Sequence, residues 1–150
     1  MTNNVYGIDL GTCNMKIYCK SSNKILNEKI ALKNKDEIYA YGNSAYAMYE
    51  KAPESIHVTF PVTTGVIADF NNLQSMIQLF LETHVKGSLK GAEFIVAVPT
   101  SITEVEKKAF FDMFYKSKMK PKSVLLCEKP IADAVGLGLD VNEPTGIMVV

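Results

Sequence analysis

Apolar and polar positions alternate over residues 5–10 and 15–20, which predicts two strands joined by a tight Gly11-Thr12-Cys13-Asn14 turn, with a third strand at 24–30. Residues 31–67 are less regular. They hold an alternating segment at 37–41, a short helix near 45–49, and prolines at Pro53 and Pro61, which together read as an inserted subdomain. The period then lengthens: Leu73, Met76, Ile77, Phe80 and Leu81 fall on one helical face, with Asp69 or Asn71 placed to cap its start. Phe94-Ile95-Val96-Ala97-Val98 is a continuous apolar run ended by Pro99, the pattern of a parallel strand buried on both faces. Ser101-Ile102-Thr103-Glu104 has the spacing of a capping box, and Val105, Ala109, Phe110 and Met113 supply the buried stripe of the next helix. Val124-Leu125-Leu126-Cys127 reads as another buried strand. Pro130 then fits the first turn of a helix that carries Ile131, Ala134 and Val135 and stops at Gly136 and Gly138. Gly146-Ile147-Met148-Val149-Val150 opens one strand more.

Three meandering strands followed by helix, strand, helix, strand, helix describe an α/β unit with a mixed sheet and helices on its faces. The core is expected at 1–30 and 68–145, with the small subdomain inserted at 31–67. This order resembles the ribonuclease-H-like half-domain shared by actins, sugar kinases and heat-shock chaperone ATPases. Composition leaves that picture intact: 150 residues, 47% hydrophobic and 21% charged, suit a soluble domain with a real core. Sixteen basic and sixteen acidic residues cancel, so charge gives no reason to expect a nucleic-acid partner. Residues 1–4 lack the character of a secretory signal, and no apolar run reaches bilayer length. Cys13, Cys19 and Cys127 stand at spacings unlike a disulfide framework or a zinc site, which points to free thiols in the cytoplasm.

The candidate chemistry begins at Asp9-Leu10-Gly11-Thr12-Cys13-Asn14. An acidic residue ends a strand, a glycine permits a reversal, and the following backbone N–H groups can converge on a phosphate. Asp9 would then hold waters of a bridging Mg²⁺. Alone, the motif is more often just turn chemistry. Its company changes that. Gly65-Val66-Ile67-Ala68-Asp69-Phe70, the stretch from Val98-Pro99 to Val105-Glu106, and Asn142 to Val150 all resemble the bacterial actins of the rod-shape-determining MreB type, in order and spacing.

That resemblance implies an amino-terminal actin half-domain, with 146–150 beginning the second half and the second phosphate loop lying beyond the chain. It implies a cytoplasmic, polymerising, ATP-binding protein that organises cell shape and works with the wall-synthesis machinery. ATP and Mg²⁺ are its expected cofactors, bound weakly or not at all by these residues alone. Asp9 is assigned to the Mg²⁺ environment, and Gly11, Thr12, Cys13 and Asn14 to the terminal phosphates. Lys16 stands where eukaryotic actins carry a phosphate-contacting lysine; a solvated lysine is the alternative. A chaperone-type or small-molecule kinase ATPase, or a catalytically inactive scaffold, are the competing readings within the superfamily.

The pattern breaks in two places. The family usually has a glutamate before the proline of the Glu-Pro motif, where it orients the attacking water; here Cys127-Glu128-Lys129-Pro130 puts Lys129 there. A protonated lysine accepts no proton, so hydrolysis is expected to be impaired. Lys129 either pairs with the γ-phosphate or is a surface lysine, unless Glu128 substitutes for the missing carboxylate. The second departure is Phe60-Pro61-Val62-Thr63-Thr64, where relatives carry arginine and further charges. For partners, the resemblance assigns Val105 and Glu106 to contacts between protofilaments, although Val105 also fits the buried stripe. Leu89, in Lys86-Gly87-Ser88-Leu89-Lys90, is the one expected membrane-touching residue, of weak affinity unless multiplied along a filament.

Overall fold

The computed structural model describes residues 4–34, 38–49, 51, 57–85, 88–143 and 146–148. Residues 1–3, Glu37, Pro53, Lys86, Gly87, Pro144, Thr145, Val149 and Val150, which entered the sequence reading, lie outside that set. The chain opens with strands β1 (Val5–Leu10), β2 (Asn14–Cys19) and β3 (Lys24–Lys29), then β4 (Leu32–Asn34) and β5 (Ile38–Tyr41). Helix α1 (Gly42–Tyr46) starts a few residues before the expected position, and β6 (His57–Thr59), β7 (Val62–Thr63) and β8 (Val66–Ile67) follow. The remainder is α2 (Phe70–His84), β9 (Glu93–Val98), α3 (Glu104–Tyr115), β10 (Ser123–Glu128) and α4 (Lys129–Gly136).

Among the described residues the strands form three sheets: a five-stranded sheet in the order β10-β9-β1-β2-β3, a three-stranded sheet β5-β4-β6, and the hairpin β7-β8. The large sheet is mixed. Strands β1, β9 and β10 run parallel, while β1–β2 and β2–β3 are antiparallel. Parallel neighbours need a crossover, and α3 supplies the one between β9 and β10. Three parallel strands therefore bring their carboxyl ends, Leu10, Val98 and Glu128, to one edge.

Helices α2 and α3 seal one face. Tyr6, Ile8, Leu10, Phe94, Val96, Val98 and Val124 point into it and meet Leu73, Met76, Ile77, Phe80, Phe110, Met113 and Phe114, all buried. Phe94 lies between Tyr6 and Phe114, with ring centroids 5.5 and 5.0 Å away. Burial, with the Cys19 thiol beside it, pushes the Tyr6 hydroxyl pKa up. The opposite face is open, which corrects the expectation that β9 and β10 are buried on both sides. Leu125, Ile95, Gly7, Tyr18 and Ile25 pair in register to form a row straight across the sheet. Leu125 is 59% and Ile25 70% exposed. Period-2 geometry puts alternate residues on opposite faces, and the continuous apolar run concealed that alternation.

Local chemistry explains the element boundaries. Asp69 is the N-cap of α2, accepting from the Asn72 amide at 3.1 Å. The capping box of α3 is Thr103 with Glu106, not Ser101 with Glu104: the Thr103 amide and hydroxyl each donate to Glu106 Oε2 at 2.7 Å. The expected register is two residues early, because Thr100 and Ser101 belong to a turn ahead of the helix. Thr64 and Gly65, with φ of 50° and 79°, form the two-residue turn of β7-β8. Gly146 to Met148 are irregular and exposed, so the strand expected from 146 is not seen over them. None of the described strands pairs with them.

Candidate functional site

The turn after β1 is built by close approach. Gly11 N donates to Asn14 O at 3.0 Å, and a Cβ at Gly11 would sit 2.9 Å from that same oxygen. Only glycine closes the turn without displacing backbone. The turn is anchored from below, where Ile30 N donates to Cys13 O at 2.9 Å. The Thr12 and Cys13 amides donate no backbone hydrogen bond among the described residues, and both residues are exposed.

Asp9 stands one residue before the strand end, directly opposite Lys16 in the β1–β2 register. Lys16 Nζ lies 3.9 Å from Asp9 Oδ2. On the other side, Lys129 Nζ lies 2.9 Å from Asp9 Oδ1 and donates to Leu10 O at 3.1 Å. The aligned hydrogen bond goes to the carbonyl, so the contact with Oδ1 is one of charge rather than a directed bond. Lys129 opens α4, immediately beyond β10, and reaches Asp9 across β9. Ala97 is the residue of β9 in register with both Asp9 and Cys127, and its methyl leaves room for the arm. Lys129 and the Gly11 to Asn14 turn therefore meet at one place, the carboxyl edge of the parallel strands, where α/β sheets take their ligands.

Glu128 goes elsewhere. It shares the parity of Val124 and Leu126, towards α3, and it is exposed. The Lys107 pKa is raised mainly by Glu104, with Glu128 a minor contributor, which places the Glu128 charge on the α3 side. A substitute carboxylate at the Asp9 edge is not what this geometry provides.

Divalent magnesium, implied by the family resemblance, takes oxygen ligands directly or through water. Among the described residues no group of three or more His, Cys, Asp or Glu side chains gathers to hold a metal. At the strand tip both Asp9 oxygens face ammonium groups. The residues present do not fit a resident dication. They do fit an anion, since two ammoniums around one carboxylate leave one positive charge beside the Thr12 and Cys13 amides.

The remaining candidates separate from this edge. Val105 is 79% exposed, so its place in the buried stripe is corrected: it lies in the first turn of α3, where the stripe begins only at Ala109 and Phe110. It lines an apolar groove with Val66, Ile67, Phe70 and Ile102. Glu106 is committed to the cap, where the Thr103 amide and hydroxyl hold its pKa below the ordinary glutamate value. Leu89 is corrected as well. It is only 8% exposed and belongs to the core, because Ala92 N bonded to Leu89 O and Gly91 N bonded to Lys120 O turn the loop inward. The membrane contact expected of it has no exposed side chain to make it.

Two features escaped the sequence reading. The first is the Asp9–Lys129 pair, which joins the ends of two strands that β9 separates. The second is an aromatic cluster at the Phe60 departure: Phe60 meets Tyr49 edge-on at 5.1 Å and Tyr46 at 6.5 Å, and Lys29 Nζ sits 4.8 Å over the Tyr46 ring. Aromatic and cation–π packing holds this departure in place.

The MreB/Mbl protein family profile matches residues 3–150. Cell shape-determining protein Mbl of Bacillus subtilis is 38% identical over 148 residues, which covers 96% of this chain and 44% of the relative. Cell shape-determining protein MreB of Escherichia coli is 34% identical over 159 aligned positions, covering 100% of this chain and 45% of its own. The chain thus spans less than half the length of these relatives. The crystal structure of MreB5 of Spiroplasma citri bound to AMPPNP matches with a TM-score of 0.86 at 26% identity, covering 96% of this chain and 44% of that one. The MamK double helical filament matches at 0.76 with 14% identity over 91% of this chain and 44% of that one, a likeness of fold. The mixed sheet with helices is accordingly an actin-type ATPase half-domain, as the order of elements led us to expect.

Proposed function

This chain belongs to the MreB/Mbl family, and from that premise we propose that it forms one wall of the nucleotide cleft of a polymerising bacterial actin. The protein organises cell shape and wall synthesis from the cytoplasm, binds ATP, and hydrolyses it slowly. Lys129 is the observation that carries the last point. By the family resemblance it stands at the position of the water-orienting glutamate; its ammonium has no lone pair to receive a proton, and it is tied to Asp9 and Leu10 O. Glu128 faces the other side of the sheet and does not replace it. Assembly into filaments is supported by the Val105 side chain, exposed beside an apolar groove at the start of α3.

Steady-state phosphate release by the full-length protein tests the reading against a Lys129→Glu variant. The variant is expected to turn over at least about tenfold faster, the low end of what a positioned general base contributes. Equal, brisk rates would sink it. ATP-dependent sedimentation of the same protein tests polymerisation, and a protein that stays in the supernatant at every nucleotide state overturns that half.

A further inference from the structure

We propose that the phosphate site at the tip of β1 works without a bound divalent cation, the ammoniums of Lys129 and Lys16 standing at Asp9 in its place. The inference rests on the nucleotide reading above and specifies what balances the phosphate charge.

A magnesium ion gains its hold from anionic oxygens, either directly or through its water shell. Asp9 is the carboxylate this turn offers, and both of its oxygens are engaged: Oδ1 by Lys129 at 2.9 Å and Oδ2 by Lys16 at 3.9 Å. A dication entering there would compete with two like charges for the same carboxylate. Lys129 is held there further by the hydrogen bond it donates to Leu10 O at 3.1 Å. The same two ammoniums leave a surplus positive charge on the edge that also carries the Thr12 and Cys13 amides, a setting that favours an anion. It follows that the uncomplexed nucleotide, which carries more negative charge than its magnesium complex, is the preferred ligand.

The test is calorimetric titration of the full-length protein with AMPPNP, in excess EDTA and in millimolar Mg²⁺. Binding in EDTA is expected to equal or exceed binding in Mg²⁺. Lys129→Glu, which gives the edge a second carboxylate, is expected to reverse this, losing at least about tenfold in affinity, or about 1.4 kcal/mol, when Mg²⁺ is removed. Lys129→Met, neutral and of similar shape, guards against a misfolded glutamate variant and is expected to fall between the two. A wild-type protein that loses tenfold or more in EDTA overturns the inference and leaves the nucleotide reading standing. Absence of AMPPNP binding in both conditions overturns the nucleotide reading itself. Alkylation of Cys13, exposed in the turn, gives a second readout: protection by AMPPNP in EDTA supports the proposal, and protection in Mg²⁺ alone overturns it.

Discussion

The two faces of the five-stranded sheet are made from the same strands and have opposite characters. One is sealed: Phe94 and Val96 of β9 are fully buried under α2 and α3. The other carries Ile95, 41% exposed, in a row from Leu125 to Ile25, and at its edge the charged cluster of Asp9, Lys16 and Lys129. The difference shows where stability and chemistry reside. Apolar burial holds the fold from one side, while the open side keeps groups whose removal changes charge more than packing.

The largest effect should separate the faces most sharply. Phe94→Ala removes a ring packed between Tyr6 and Phe114 and is expected to cost about 3–5 kcal/mol in urea denaturation. Leu125→Ala on the open face is expected to change stability by only about 0.5 kcal/mol. Similar losses for both would show that the open face is covered in solution. Next in size, Thr103→Ala removes the cap of α3, one of the sealing helices, and is expected to cost about 1 kcal/mol by the same measurement. An unchanged midpoint would mean that the cap does not help hold the cover. Lys129→Met removes a partly exposed pair and should shift stability by less than about 1 kcal/mol, whatever it does to nucleotide binding. A larger loss would make the charged edge structural.

The smallest expected effect is a dependence on pH. Glu106 has a folded pKa below its ordinary 4.5, owing to the Thr103 amide and hydroxyl. A depressed carboxylate contributes stability above its unfolded pKa and loses it as pH falls through the folded one. The stability gap between wild type and Thr103→Ala should therefore be constant near neutrality and shrink in acid below that value. A gap that grows on acidification would reverse the sign and remove Glu106 from the cap.

Periodicity made the sealed face legible. Leu73, Met76, Ile77, Phe80 and Leu81 are all buried where the helical period put them, and Asp69 caps the helix they form. The open face was misread because Phe94 to Val98 is apolar at every position, so an alternation imposed by one-sided cover leaves no trace in residue type. Leu89 failed for a related reason: a leucine between two lysines looks exposed until a turn rotates it inward. At the site, the turn residues were legible from their order. The contact between Asp9 and Lys129 was not, since it depends on strand order and on the small side chain at Ala97. Val105 and Thr103 show the same limit at a helix start, where a shift of two residues decides which side chain caps and which faces outward.

The hydrogen bond from Lys129 to Leu10 joins residues 119 positions apart in the chain. Between them run the insert, two helices and the whole of β9, and the parallel pairings that bring them together are among the slowest contacts a chain makes. Closing so long a loop carries its entropic cost early and its reward last. The charged edge is consequently a late event of folding, assembled only once β10 has docked beside β9. A chain stalled before that step would have its turn, its aspartate and Lys16, whose charges cancel, where the finished molecule presents a surplus positive charge.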